Sequence, residues 1–313
     1  MVERSRRQFL GEIGAAALAA SGAALAGASA GSAAPLSRSG EEPARGGGPQ
    51  LRLDVSSVTG DTDGLVSYFP IPSLGLVPVY AYLIHSSEPV LVDTGLAGTR
   101  EAFMENLRSM IAMEDLRWLW LTHTDPDHTG ALKQVLAEAP NVRVVTTFLG
   151  MGKMMLYQFP VDRVYLLNPG QSLDVGDRQL TAVKPPVFDA PETTGLFDTK
   201  TKTLFSADCF GALMQKPAES VSEIDPDDYR AGAVKWATVD TPWLHVVDGK
   251  KFKASFDSIR NLEPKVILSS HLPRATGMTE TLIGNLVSAC SATPFVGPDQ
   301  TALERMMSEQ PKK

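Results

Sequence analysis

An α/β fold is predicted for this chain by three observations. Short apolar runs rich in Val, Leu and aromatic residues alternate with stretches of helical spacing. Polar residues able to bind metal stand at the ends of those runs rather than within them. No internal repeat, Gly-rich phosphate loop or nucleophile elbow points to another architecture.

The elements follow in order. Residues 1–30 read as a targeting segment: Arg4, Arg6 and Arg7, then Phe9 and Leu10, then an Ala/Gly run ending in Ala28-Ser29-Ala30. The phrase SRRQFLG resembles the twin-arginine export signal, which implies export of a folded protein to the periplasm or beyond, with only transient contact with the membrane. The run is too poor in Leu and Ile to favour a permanent anchor. Residues 31–50 are crowded with Gly, Pro, Ser and charge and read as a flexible linker. One folded domain is expected over residues 51–313.

Within it, VPVYAYLIHSSEPVLVDTG predicts two strands around a turn at Ser86-Ser87-Glu88-Pro89, and TREAFMENLRSMIAM an amphipathic helix. LRWLWLTH predicts a buried strand ending at His123, followed by a loop, a helix over GALKQVLAEA and a strand over VRVVTT. Strands are expected in RVYLLN, QSLDVGDRQLTAVK and GLFDTKTKTLFSAD, the last a hairpin near Asp198-Thr199-Lys200. A helix over KKFKASFDSIRNL, a strand over KVILSSH and a terminal helix over TALERMMSEQ complete the reading.

Composition narrows the function. A formal net charge of -7 without any basic block argues against a nucleic-acid surface. Two cysteines, Cys209 and Cys290, cannot build a thiolate zinc site or a disulfide framework.

The loop after the LRWLWLTH strand carries the chemistry. HTDPDHTG packs His123, Asp125, Asp127 and His128 into six positions, broken from the strand by Pro126 and Gly130. A loop can turn successive side chains toward one point, whereas a strand sends alternate residues to opposite faces. Imidazole together with carboxylate suits a pair of transition-metal ions. Three further residues stand at or just beyond strand ends: Asp189 after KPPVF, Asp208 after TLFSA and His271 after KVILSS. Taken singly, an aspartate there is more often a turn or cap. His245 and His85 read as structural, and Cys209 as a packed thiol facing away from Asp208.

In order and spacing, HTDPDHTG, DAPET, LFSADCFG and SSHLP resemble the metallo-β-lactamase superfamily, and within it the flavodiiron, oxygen-binding di-iron branch. PVLVDTG, with Asp93, is similar to the superfamily's early strand-end aspartate. The resemblance covers about residues 65–280. It implies an αββα sandwich with two metals at its edge. One ion would take His123, Asp125 and Asp189, the other Asp127, His128 and His271, with Asp208 bridging and Asp93 orienting a ligand histidine. Asp127 and Asp208 would be the residues nearest the chemistry. Two departures stand out: where the branch carries Glu and His, this chain carries Asp125 and Asp189.

Four aspartates and three histidines form an oxygen-rich set, which favours iron or manganese over zinc and lowers the acidity of any bound water. The resemblance thus implies an exported dinuclear metalloprotein that binds or reduces dioxygen or a related small oxidant. Its electrons would come from a separate donor, since a flavodoxin-type domain is not expected in the roughly forty residues after His271. A metal-dependent hydrolase of an ester, lactone, thioester or phosphoester is the alternative, and a metal-depleted binding module a third reading.

Overall fold

The computed structural model describes residues 51–308; the targeting segment read at 1–30 and the linker at 31–50 lie outside the described residues. The described chain forms two sheets packed face to face. The first has seven strands in sequential order: β1 (Leu53–Thr59), β2 (Thr62–Ile71), β3 (Gly75–Ile84), β4 (Val90–Val92), β5 (Trp118–Trp120), β6 (Arg143–Thr146) and β7 (Val164–Leu166). The second has six, β8 (Ser172–Asp174), β9 (Gln179–Val183), β10 (Gly195–Asp198), β11 (Thr203–Phe205), β12 (Val266–Ser269) and β13 (Leu272–Thr276), ordered β13-β12-β11-β10-β9-β8.

Side-chain alternation along the strands builds three apolar layers. Tyr80, Tyr82, Trp118 and Trp120 point between the sheets and meet Leu180, Leu196, Phe205 and Leu268 from the second sheet. Their neighbours Ala81, Leu83 and Leu119 face outward and are covered by α1 (Arg100–Met110) and α2 (Leu132–Glu138), through Phe103, Leu107, Leu132 and Val135. On the far side Phe197, Leu204 and Ile267 are covered by α4 (Pro226–Asp240), α5 (Gly249–Ser255), α6 (Asp257–Arg260) and α7 (Thr279–Ala289). Helices thus flank both sheets, the expected αββα sandwich. A further helix, α3 (Phe148–Leu156), follows β6, and α8 (Gln300–Ser308) closes the described chain. None of the described helices is long and apolar enough to cross a membrane.

The reading over KKFKASFDSIRNL needs correction, because it forms two short helices that break at Phe256. The hydroxyls of Ser255 and Ser258 donate to the carbonyls of Phe252 and Ser255, a local competition with helix bonding. The break lets Phe252, Phe256 and Ile259 all enter the core.

Strands β4 to β7 run parallel, as do β11 and β12, so several carboxyl ends emerge on common edges. Tyr80 N–H donates to Ser270 O at 2.9 Å and the Tyr82 hydroxyl to Ser269 O at 2.7 Å, stitching β3 to the end of β12. Side chains leaving β4, β5, β11 and β12 therefore meet in one place.

Candidate metal centre

Each strand-end residue reaches the centre by a backbone device. Asp93 follows β4 in the left-handed region at φ 58°, and Ala207, before Asp208, is also left-handed at φ 52°. Both turns bend the chain sharply as it leaves a strand. The 123–130 loop closes on itself where the N–H groups of His128 and Thr129 donate to Asp125 O. Gly130 lets the loop lie against Gly95 and Leu96, where a Cβ would come within 2.2 Å of backbone.

The seven side chains expected from the sequence come together, all buried. Asp208 lies at the middle. Its Oδ2 is 3.1 Å from His123 Nε2, while its Oδ1 is 3.1 Å from His128 Nε2 and 3.2 Å from His271 Nε2. Asp127 Oδ2 is 3.4 Å from His271 Nε2 and 3.6 Å from His128 Nε2, and Asp189 Oδ1 is 3.9 Å from His123 Nε2. Donor atoms of His123, Asp125 and Asp189 lie within 4.8 Å of one another, as do those of Asp127, His128 and His271.

The outer nitrogens of the imidazoles are fixed. Nδ1–H of His128 donates to Asp93 Oδ2 at 2.8 Å and that of His271 to Pro78 O at 2.9 Å. The Thr122 hydroxyl donates to Asp93 Oδ2 at 2.7 Å and therefore accepts from His123 Nδ1, 3.1 Å away. With the proton held on Nδ1, each Nε2 offers a lone pair inward.

The atoms that face inward lack protein partners. His123 Nε2, His128 Nε2, both oxygens of Asp127, Asp189 Oδ1 and Asp208 Oδ1 make no hydrogen bond within the protein. Buried polar atoms left so are costly, and six converging on one point match the donor set of a cation. The residues present therefore fit a pair of divalent ions.

Electrostatics agree. Burial opposes the charged imidazolium, yet the carboxylates outweigh it: His123 rises to about 9, chiefly through Asp208, and His128 rises well above the usual range, chiefly through Asp127. Burial alone would raise Asp208, but the three imidazoles hold it well below the usual carboxylate range. Asp125 is pushed up to about 7 by burial. Protons and a metal ion compete for the same atoms.

The loop from 189 to 193 is anchored by Lys184, whose ammonium donates to Pro191 O and Thr193 O and lies 3.7 Å from the Phe188 ring centre. Glu192, buried, accepts from the Thr124 hydroxyl and pairs with Lys153 at 2.7 Å. His85 pairs with Asp63 and His245 contacts Pro242 O; both are exposed and stand apart from the centre. Cys209 is packed in the core and Cys290 is also unpaired.

Two residues escaped the sequence reading. Trp236 packs against His271 with its ring tilted, ring centres 5.0 Å apart, and Gly211 makes room for it, since a Cβ there would come within 2.5 Å of the indole nitrogen. Asp240, on the same helix, brings a carboxylate oxygen within 4.8 Å of Asp189 and Asp208. The signal was present: Asp225 caps α4 through the N–H groups of Asp227 and Asp228, Pro226 follows, and Tyr229, Ala233, Trp236 and Asp240 fall on one buried stripe.

A two-sheet sandwich whose edge gathers histidines and aspartates, their donor atoms turned inward, defines the metallo-β-lactamase fold with a candidate dinuclear centre. The family model described as ODP family beta lactamase matches residues 77–271, and the chain belongs to that family. Among relatives, the anaerobic nitric oxide reductase flavorubredoxin of Salmonella typhi is 31% identical over 133 residues, 42% of this chain and 28% of that protein. The match thus spans little more than a quarter of that relative's length. Rubredoxin oxygen:oxidoreductase from Desulfovibrio gigas superposes with a TM-score of 0.67 at 16% identity, covering 77% of this chain and 63% of that one. The flavodiiron protein of Giardia intestinalis superposes at 0.66 and 17% identity, covering 76% and 60%. At those identities the likeness shows the fold.

Proposed function

We infer that this chain is a dinuclear metalloprotein that binds or reduces dioxygen, nitric oxide or a related small oxidant, with electrons from a separate donor. The observation that carries this reading is Asp208, whose two oxygens face His123 on one side and His128 with His271 on the other. A carboxylate so placed would bridge two ions. His123, Asp125 and Asp189 would hold one, and Asp127, His128 and His271 the other. Two relatives whose names specify nitric oxide reduction and oxygen:oxidoreductase activity support this choice of substrate class.

Paired iron, when bound, supplies a place where a small oxidant sits and through which electrons pass. The protein's own part is orientation and exclusion of water. Asp93, Thr122 and Pro78 O fix the three imidazoles, and Trp236 covers His271. Lys153, with 27% of its side chain exposed, pairs with the buried Glu192 at 2.7 Å. The SRRQFLG phrase supports a site of action outside the cytoplasm after twin-arginine export.

The test is anaerobic loading of the full chain with ferrous iron, followed by metal analysis and by oxygen or nitric oxide consumption with a chemical reductant. Two irons per chain and oxidant consumption are expected. Stoichiometric zinc from cells supplied with iron, together with ester or lactone hydrolysis, would overturn the reading in favour of a hydrolase.

A further inference from the structure

The helix that covers the second sheet carries a carboxylate into the centre at a position where helix chemistry opposes it. Asp240 is the last residue of α4 and only 4% exposed. A negative charge at a helix C-terminus faces the negative end of the helix dipole, so the backbone there repels it. Asp240 follows Trp236 by one helical turn, so both lie on the face turned toward the metal centre. Its Oδ1 has no hydrogen-bond partner in the protein, and one of its carboxylate oxygens lies within 4.8 Å of oxygens of Asp189 and Asp208. Three buried carboxylates at that spacing, each with an oxygen that makes no hydrogen bond, repel one another unless a proton or a cation lies among them.

Neighbouring lysines offer no such cation. Lys184 is occupied by two carbonyls, and Lys153 by Glu192. His123 reaches Asp208 Oδ2 at 3.1 Å and Asp189 Oδ1 at 3.9 Å, and no contact of it with Asp240 is found among the described residues. The sequence meanwhile leaves the first ion with a short carboxylate at position 189. Resting on the dinuclear reading above, we propose that Asp240 supplies a further carboxylate ligand to the ion held by His123, Asp125 and Asp189, on the side where Asp189 and Asp208 meet it. The ligand set then becomes richer still in oxygen, with five aspartates and three histidines, and the extra charge falls on one ion. The two ions become unequal: the first is harder and more carboxylate-bound, the second keeps two imidazoles. A harder first site favours manganese or ferrous iron there over zinc.

The experiment compares the full chain with Asp240→Asn and Asp240→Ala, loaded anaerobically with ferrous iron or with manganese(II). Metal per chain is measured, with affinity from chelator competition. In both variants one of the two ions should bind at least tenfold more weakly, the roughly 10- to 100-fold lost on removing even a supporting residue being a lower bound. The other ion should be unchanged. Metal-free Asp240→Asn should unfold at or above the wild-type temperature, since Oδ1 makes no hydrogen bond that the amide would lose and neighbouring carboxylates crowd it; a purely structural Asp240 requires the opposite. Two ions held with unchanged affinity in both variants overturns the proposal, as does loss of a third ion while the first two stay. If the wild-type chain holds no pair of ions at all, the dinuclear reading fails first and this proposal fails with it.

Discussion

Asp93 accepts the Nδ1 proton of His128 at 2.8 Å from a left-handed backbone position, φ 58°, at the end of β4. The same carboxylate accepts from the N–H and hydroxyl of Thr122, so one buried aspartate orients the strand end before His123 and the ring of His128 together. Asparagine tolerates the left-handed region, which makes Asp93→Asn a clean probe of the charge. Metal affinity should fall by about 10- to 100-fold with little change in fold. Chelator competition measures it; unchanged affinity for both ions would remove Asp93 from any supporting role.

Asp208 should be the least replaceable residue of the centre. Its two oxygens face both histidine groups, so Asp208→Ala removes a donor from each ion at once. Most of both metals should be lost on purification. A variant that retains two ions per chain sinks the bridging assignment.

Much of this centre was legible in the sequence because its residues obey local rules. HTDPDHTG is a loop after an apolar run, and Asp208 and His271 each follow one, so strand ends marked them as candidates and the order and spacing shared with the family selected them. The hairpin at 77–92 and the helix at 100–110 were likewise set by period and turn residues. Asp240 was not found because it lies on a helix face more than thirty residues from any expected ligand, and only tertiary packing brings it to the others. Strands β1 and β2, helices α3 and α7, and β13 also went unread. In β2 the burial is nearly continuous rather than alternating, and α3 leaves Phe148, Leu149 and Leu156 exposed, so neither shows a clear amphipathic signature.

Arg178 tests the sheet edge independently of metal. Its guanidinium lies 2.6 Å from Asp61, 2.9 Å from Asp177 and 2.9 Å from Asp198, and the side chains of Arg178 and Asp198 are each 1% exposed. Arg178→Met leaves Asp198 charged and buried without its partner. A loss of about 3–5 kcal/mol is expected in denaturant unfolding. A loss below about 1 kcal/mol, the range of exposed pairs, would show that the cluster is solvated.

The centre also predicts a pH dependence with a definite sign. Burial lowers His123 but Asp208 more than offsets it, so His123 rises from 6.5 to about 9, and burial lifts Asp125 from 3.8 to about 7. Between those ordinary and shifted values the folded metal-free protein holds more protons than the unfolded chain. Its stability therefore falls as pH rises. The His123 contribution is fully present below pH 6.5 and lost through pH 9. Metal binding needs the same protons removed, so metal affinity should rise over that window. Thermal unfolding of metal-free protein at several pH values checks the first trend and chelator competition the second. A metal-free protein that grows more stable from pH 6.5 to 9 contradicts the assignment.

Position 189 separates the readings most sharply. Asp189 Oδ1 stands 3.9 Å from His123 Nε2, makes no hydrogen bond, and shares one cluster with His123 and Asp125 and another with Asp208 and Asp240. Its loop is held by Lys184 through the carbonyls of Pro191 and Thr193, not through Asp189 itself, so the loop should survive a change there. Asp189→Ala should loosen the ion bound by His123 and Asp125 and leave the ion of Asp127, His128 and His271 in place. Asp189→His puts a neutral imidazole where a carboxylate stood. It should keep two ions, raise the acidity of the first and shift the reduced protein's reactivity toward oxygen. Metal counts, the absorption spectrum and the rate of oxygen consumption read these outcomes separately. If Asp189→Ala leaves all three unchanged, Asp189 is no ligand, and a single-metal or binding role gains over the dinuclear one.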